Sequence, residues 1–342
     1  MTEKKPVSIV LCTYNGAKYL QEQLDSILAQ TYPLHEIIIQ DDGSTDNTWQ
    51  ILEEYEEKHP LIHIYHNEGT HGVNANFLSA MHRTTGDFIA IADQDDIWEA
   101  DKIANQMTTI GNKLLCSGLT RPFSTDGSFA YFDNRPRNVS IFRMMFLGLP
   151  GHTMLFRREL LRMMPPVTHP FFNVSLYDAA LSILAASHDS IAFCNKVLVN
   201  FRRHADATTY NDYSRSLPSW QNGLYELLWG LRHYHQARSI ALPIYKGKLT
   251  FMEGITTNYN DFIEAKAIMR LETKKGLWAF LRLQYLLTKN HQRLFQTSGG
   301  SFIKMIRAWL YPVMQLYMYT RVRDKKRLEK VGNLVKNSYL YR

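Results

Sequence analysis

Four short, almost wholly apolar runs recur through the first hundred residues, and each is followed by a stretch with helical spacing. Val7–Cys12 (VSIVLC) is rich in β-branched residues, as expected of a strand buried on both faces. Ala17–Gln30 then places Tyr19, Leu20, Leu24, Ile27 and Leu28 at helical intervals. Glu36–Gln40 reads as a second strand, and Asp46 caps a helix over Thr48–Lys58. Ile62–Tyr65 and Asn74–Arg83, then Phe88–Ala92 and Ala100–Asn112, repeat the alternation. Strands separated by single helices require right-handed crossovers, which dictates a largely parallel sheet covered on both faces.

Beyond residue 113 the pattern is mixed. Short strands are predicted at Leu114–Ser117, His152–Phe156, Ile191–Phe193 and Val197–Phe201. Helical stretches are predicted near Ser140–Leu147, Arg158–Met163 and Tyr177–Ser187. After Asn211 strand signals stop, and Leu217–Ala237, Leu249–Leu271, Gly276–Lys289 and Phe302–Lys336 read as helices, with a break at Thr297–Ser301. The expected organisation is an α/β domain over 1–212 and a helical, basic region over 213–342.

Charge divides the same way. Residues 1–112 hold 6 Lys and Arg against 18 Asp and Glu, whereas residues 301–342 hold 10 against 2. That split argues against a uniform nucleic-acid-binding surface, and no base-reading module accompanies the basic end. Cys12, Cys116 and Cys194 are widely spaced without a CxxC pair, which fits a reducing compartment rather than a disulfide framework or zinc site. The N-terminal segment lacks the apolar stretch of a signal peptide. Ala308–Thr320, the longest charge-free apolar stretch near the C-terminus, is too short to span a bilayer. A cytoplasmic protein is expected.

In parallel sheets ligands bind beyond the carboxyl ends of the strands, and the acid concentrates there. Asp93-Gln94-Asp95-Asp96 follows the fourth strand. Three carboxylates within four residues repel one another unless a cation lies between them. Oxygen ligands of this kind suit Mg²⁺ or Mn²⁺, which complete their shells with substrate phosphates. A haloacid-dehalogenase-type phosphatase would need Thr or Val where Ile97 stands, and would carry its acidic motif on the first strand. Asp41-Asp42-Gly43-Ser44-Thr45-Asp46 follows the second strand, with Asp42 a candidate acceptor of nucleoside hydrogen bonds. Thr13-Tyr14-Asn15-Gly16 follows the first, where Tyr14 would stack on a base and Gly16 permits the turn. Neither GxGxxG nor GxxxxGK[ST] is present, so dinucleotide and P-loop cradles are missing.

Taken together, VSIVLCTYNGAKYL, IIIQDDGSTDNT and GDFIAIADQDDIW, in this order and spacing, strongly resemble glycosyltransferase family 2. These are inverting enzymes with the GT-A nucleotide-diphosphosugar fold, and the DQDDIW segment is similar to the bacterial rhamnosyltransferase-like subgroup. The resemblance covers roughly residues 6–210. It implies a mostly parallel central sheet flanked by helices, followed here by an α-helical extension. It implies that Thr13, Tyr14, Asn15 and Asp42 line the nucleoside pocket, and that Asp93 and Asp95 hold the metal and donor diphosphate. Phe201-Arg202-Arg203-His204 resembles the family's Tyr-Arg-x-His ending, so Arg202 and Arg203 would face the donor. His204 would serve either as a further metal ligand or as a hydrogen-bonding group. Tyr177-Asp178-Ala179-Ala180 falls where the family has an acidic residue before two aromatics. Asp178 is thus the implied general base, and the two alanines imply a differently shaped acceptor pocket.

The implied reaction is transfer of a hexosyl or deoxyhexosyl group from a nucleotide-diphosphosugar to a glycan or lipid-linked glycan, in bacterial surface-polysaccharide assembly. A non-catalytic nucleotide-sugar-binding or scaffold protein is the alternative. Phe302–Thr320, aromatic and followed by Arg321, Arg323, Lys325, Lys326 and Arg327, suits a helix at an anionic membrane interface. It equally suits a subdomain packing its aromatics inward. The first reading would place the protein on the inner face of the cytoplasmic membrane.

Overall fold

A computed structural model describes residues 4–124, 132–135, 137–204, 220–295 and 300–320. They fall into two compact units whose segments interleave along the chain. The first takes the described residues up to 135 together with Leu149–Val167 and those from Ser190 to 204. The second takes Arg137–Gly148, Thr168–Asp189 and the described residues from 220 onward. The expected single boundary at 212 therefore meets two earlier segments that cluster with the C-terminal helices.

The first unit is built on an eight-stranded sheet in the order β3 (Ile62–His66), β2 (Glu36–Asp41), β1 (Val7–Thr13), β4 (Phe88–Ala92), β7 (Leu155–Arg157), β6 (Leu115–Ser124), β8 (Ile191–Arg203) and β5 (Ile97–Trp98). β1 (Val7–Thr13), β2 (Glu36–Asp41), β3 (Ile62–His66) and β4 (Phe88–Ala92) are the four parallel strands, separated by α1 (Leu20–Leu28), α2 (Thr48–Lys58) and α3 (Val73–Arg83). Every residue of β1, β2 and β4 is buried, the polar Ser8, Thr13, Glu36, Gln40 and Asp41 along with the apolar runs. Their side chains interlock with Leu20, Leu24 and Ile27 of α1 and Leu52 of α2 in one core.

The remaining strands break the parallel pattern. β7 (Leu155–Arg157) runs antiparallel to β4 and to β6 (Leu115–Ser124). β8 (Ile191–Arg203) runs parallel to β6, with the register slipping at Gly118–Thr120, and α4 (Lys102–Ile110) packs against both. The two short strands expected at 191–193 and 197–201 are thus one strand of 13 residues. A two-residue strand not foreseen in the sequence, β5 (Ile97–Trp98), pairs antiparallel with Asn200 and Val199 of β8. α6 (Arg158–Arg162) follows β7.

In the second unit α5 (Ile141–Met144) and α7 (Tyr177–Ser187) pack with α8 (Trp220–Arg232), α9 (Tyr234–Glu253), α10 (Asn260–Glu272), α11 (Leu277–Lys289), α12 (His291–Leu294) and α13 (Ser301–Thr320). The expected helices 217–237 and 249–271 are divided differently: His233 interrupts the first, and α9 runs on to Glu253 before the chain breaks at Gly254. Part of the expected 302–336 helix, from 321 on, lies outside the described residues, as does most of the Thr297–Ser301 break. Lys248 is buried and donates to the carbonyls of Met145 and Phe146 at 3.1 and 3.0 Å, closing the C-terminal end of α5. No helix among the described residues is long and apolar enough to cross a membrane.

Candidate active site

Three loops leave the carboxyl ends of β1, β2 and β4 and are tied to one another. Thr13, buried, donates through Oγ1 to Asp41 Oδ1 at 2.8 Å. Asp41 also accepts from the backbone N–H groups of Gly43 and Ser44, so this carboxylate shapes its loop rather than reaching outward. Asn15 adopts a positive φ of 49°, and its Oδ1 accepts from Thr45 N–H at 2.8 Å. Gln94 spans to Tyr14, accepting from its N–H at 2.9 Å and donating to its carbonyl at 3.1 Å. A Cβ at Gly16 would stand 2.3 Å from Gln94 Oε1, which explains the absence of a side chain there. The N-cap of α2 is Asn47 rather than the expected Asp46, whose carboxylate nevertheless accepts from Thr48 N–H at 3.0 Å.

Asp42 accepts from Asn67 Nδ2 at 2.6 Å and from Gly72 N–H at 2.8 Å, and lies 3.0 Å from His71 Nδ1. Gly72 has φ of 113°, a conformation that a side chain would strain, and it opens α3. Tyr14 is 58% exposed and presents an open ring face.

The acidic loop is fixed from two sides. Ala90 pairs with Leu155 in the β4–β7 ladder, and continuing that antiparallel register by three positions sets His152 opposite Asp93. His152 sits in a single 3-10 turn (Gly151–Thr153), its ring stacked on Phe201, with Nδ1 3.3 Å from Asp93 Oδ2 and 3.5 Å from Asp96 Oδ2. From the other side, the β5–β8 pairing delivers Arg202 beneath the loop. Its backbone N–H donates to Asp96 Oδ1 at 3.0 Å and its Nε to the Asp95 carbonyl at 2.9 Å. Its guanidinium, buried between Tyr19 and Phe123, also engages Glu22. His204 Nε2 lies 2.9 Å from Asp95 Oδ2.

Asp93, Asp96 and His152 each offer a ligand atom, all within 4.8 Å of one another. Burial, reinforced by the neighbouring charges of Asp95 and Asp93, holds the Asp96 carboxyl well above the ordinary carboxylate range, against the pull of Arg202. Asp96 Oδ2 is buried without a hydrogen-bond donor. Two carboxylates and an imidazole in that arrangement fit a divalent cation, which would relieve the repulsion. The sequence expectation of Asp93, Asp95 and His204 shares Asp93 with this cluster, while Asp95 and His204 pair with each other. His152 was not among the expected ligands because nothing in its spacing from Asp93 signals the antiparallel return that joins them.

Arg203 is partly buried at the end of β8. Asp178 belongs to the second unit, in the first turn of α7, where it is 2% exposed and its Oδ1 accepts from Ala179 N–H at 2.8 Å.

The profile of glycosyl transferase family 2 matches residues 8–164, which hold all three loops and the Asp93–Asp96–His152 cluster. Residues 8–164 form a family 2 glycosyltransferase domain. Relatives of this family 2 domain include TuaG of Bacillus subtilis, whose name assigns it to teichuronic acid biosynthesis. It is 38% identical over 108 residues, 31% of this chain and 43% of its own length. WfgD of Escherichia coli, a UDP-Glc:α-D-GlcNAc-diphosphoundecaprenol β-1,3-glucosyltransferase, is 26% identical over 224 residues, 63% of this chain and 83% of its own. The match to TuaG thus spans less than half of that protein. Among solved structures, S. aureus TarS 1–349, in complex with UDP-GlcNAc, is similar with a TM-score of 0.53 and 16% identity, over 93% of this chain and 92% of its own. The mannosyltransferase PcManGT of Pyrobaculum calidifontis, in complex with GDP-Man and Mn²⁺, follows at 0.50 and 19%, over 98% and 88%. These two likenesses show the GT-A-like fold.

Proposed function

We propose that the chain is a metal-dependent, inverting glycosyltransferase. It moves a sugar from a nucleotide-diphosphosugar to a glycan or lipid-linked glycan acceptor in bacterial surface-polysaccharide biosynthesis. The observation that carries this reading is the Asp93–Asp96–His152 cluster at the carboxyl end of β4, set among interlocked loops. Mg²⁺ or Mn²⁺ held there would bind the donor diphosphate and offset the charge of the departing nucleoside diphosphate.

The roles of the protein's own groups follow from their chemistry. Thr13, Tyr14, Asn15 and Asp42 bind the nucleoside, with Tyr14 offering its exposed ring to a base and Asp42 its carboxylate to a hydroxyl or base N–H. Arg202 fixes the acidic loop through its backbone and Nε, so that Asp95 and Asp96 stay aligned before the donor arrives. His204 holds Asp95, and Arg203 stands beside them at the strand end. Attack on the anomeric carbon requires the acceptor hydroxyl to lose its proton as the new bond forms, and Asp178 is the carboxylate assigned to take it. That assignment rests on its place in the motif. The nature of relatives such as WfgD and TuaG supports a polysaccharide acceptor.

The test is a panel of nucleotide sugars with Mn²⁺, read by mass spectrometry of transfer and hydrolysis products. Wild type should turn over at least one donor, and Asp96→Asn and His152→Ala should each lose at least ~10²-fold in kcat/KM. Asp178→Asn should lose ~10²–10⁴-fold in kcat with little change in donor affinity. A wild type that binds a nucleoside diphosphate yet processes no donor would establish the scaffold reading instead.

A further inference from the structure

The second unit presents an apolar surface that its own core does not use. Along α11, Trp278, Leu281 and Tyr285 recur at helical spacing on the outside, with Trp278 84% exposed, while Leu283, Gln284 and Leu287 face inward. Along α13, Phe302, Ile306 and Trp309 do the same, with Phe302 68% and Trp309 52% exposed, while Ala308, Met314 and Leu316 are buried. The two helices are neighbours: Gln284 Nε2 of α11 donates to the Trp309 carbonyl of α13 at 3.0 Å. The aromatics of the C-terminal third are divided between two directions. Tyr311 and Tyr319 pack inward against Phe146 and Tyr245, whereas Trp309 and Phe302 point out.

Charge identifies the partner. Between Glu272 and Asp324 the sequence contains no Asp or Glu, yet it contains nine Lys and Arg. Lys274, Lys275 and Arg282 are exposed around α11, and Lys304 and Arg307 are half-buried on α13. The acids on the preceding helix are already engaged: Glu264 accepts from Lys289 and Asn290, and Glu272 is buried against Gln315 and Arg238. An exposed stripe of tryptophan, phenylalanine and isoleucine, on a stretch of chain that holds cations and no acids, complements an anionic bilayer. Aromatic rings enter the boundary between headgroups and acyl chains, and the flanking cations meet the phosphates.

We propose that α11 and α13 together form a docking face for anionic phospholipid bilayers, with Trp278, Phe302 and Trp309 as the inserting side chains. The proposal concerns the second unit and stands independently of the sugar-transfer reading. Flotation of the full chain with vesicles of phosphatidylglycerol and phosphatidylcholine, against phosphatidylcholine alone, tests it. Wild type should float with the mixed vesicles and remain behind with the neutral ones. Trp278→Glu/Trp309→Glu should weaken binding by roughly tenfold or more. Lys274→Gln/Lys275→Gln/Arg282→Gln should weaken it by up to about fivefold per cation, with the loss reproduced by salt. Trp278→Ala, at a position too exposed to affect folding, provides the control for misfolding and should also weaken binding. Equal flotation of wild type and the tryptophan variants, or no flotation of wild type, overturns the proposal. So does a dimer in sedimentation velocity, without lipid, that Trp278→Glu disperses, since the face would then belong to a second copy.

Discussion

Gly16 shows how narrowly the three loops are set. Its missing Cβ leaves room for the Gln94 side chain, which holds the backbone of Tyr14 by two hydrogen bonds. In Gly16→Ala the added methyl must push that amide aside, so the first and third loops lose their bridge. We expect a stability loss of about 1 kcal/mol and a raised donor KM. Gln94→Ala should already remove the bridge, so the double variant should cost clearly less than the two single costs added. Strict additivity in a denaturation cycle would refute the bridge. The three thiols supply a second check at this scale. All are buried, and burial pushes Cys116 up to about 12 and Cys12 well above the ordinary thiol range. A thiol reagent should leave them unlabelled in the native chain for as long as denaturant rapidly exposes all three. The site was partly legible in the sequence for a simple reason. Thr13, Asp42, Asp93 and Asp95 sit where apolar runs stop, and a strand end is visible in a linear pattern. His152, Gln94 and Glu22 owe their positions to side-chain packing and to an antiparallel return, neither of which leaves a periodic trace.

Elements buried on both faces were the most legible, because the apolar runs at their centres stand out in a linear pattern; β1, β2 and β4 are of this kind. Legibility fails where strands are held by pairing rather than by burial. β5 has two residues and exists through its ladder with β8. β6 continues through Arg121 and Pro122, which pair with Asn200 and Phe201 of β8, and β8 runs on through Asn195 and Lys196, where its register with β6 shifts. In the helical unit, Glu272 ends α10 with its carboxylate buried, accepting from Gln315 at 2.6 Å and lying 3.7 Å from Arg238. Burial raises its carboxyl to about 7, with Arg238 and Gln315 pulling the other way. A raised acid binds its proton more tightly folded than unfolded, so its stabilising contribution is present at low pH and is lost as pH rises from about 4.5 through 7. Glu272→Gln mimics the protonated form. Its advantage over wild type should be near zero at pH 4 and grow to about 3 kcal/mol above pH 7. Urea denaturation across that range measures it, and an advantage independent of pH would show that Glu272 titrates normally.

At the scale of the whole molecule a modest formal net charge of +7 conceals opposed demands. The acidic first 112 residues carry the Asp93–Asp96 pair, whose repulsion the fold sustains against its own stability. The acid-free stretch from 273 to 323 carries the exposed aromatics. A cation that binds only the folded first unit must therefore stabilise it by mass action, independently of any turnover. At one hundred times its dissociation constant, Mn²⁺ should add about 2.7 kcal/mol, visible as a higher melting temperature in calorimetry and reversed by chelation. Asp96→Asn should abolish most of that increment while raising the metal-free melting temperature, since it removes one of two mutually repelling carboxylates. Asp101→Asn, which removes an exposed acid from the same region, should leave the increment intact. The contrast separates a buried ligand set from diffuse attraction to an acidic surface. Diffuse attraction would be weakened alike by both substitutions and would fade in 0.5 M salt, at which the screening length falls to roughly 4 Å. If Asp101→Asn matches Asp96→Asn, or the increment vanishes with salt, the Asp93–Asp96–His152 cluster is not a metal site.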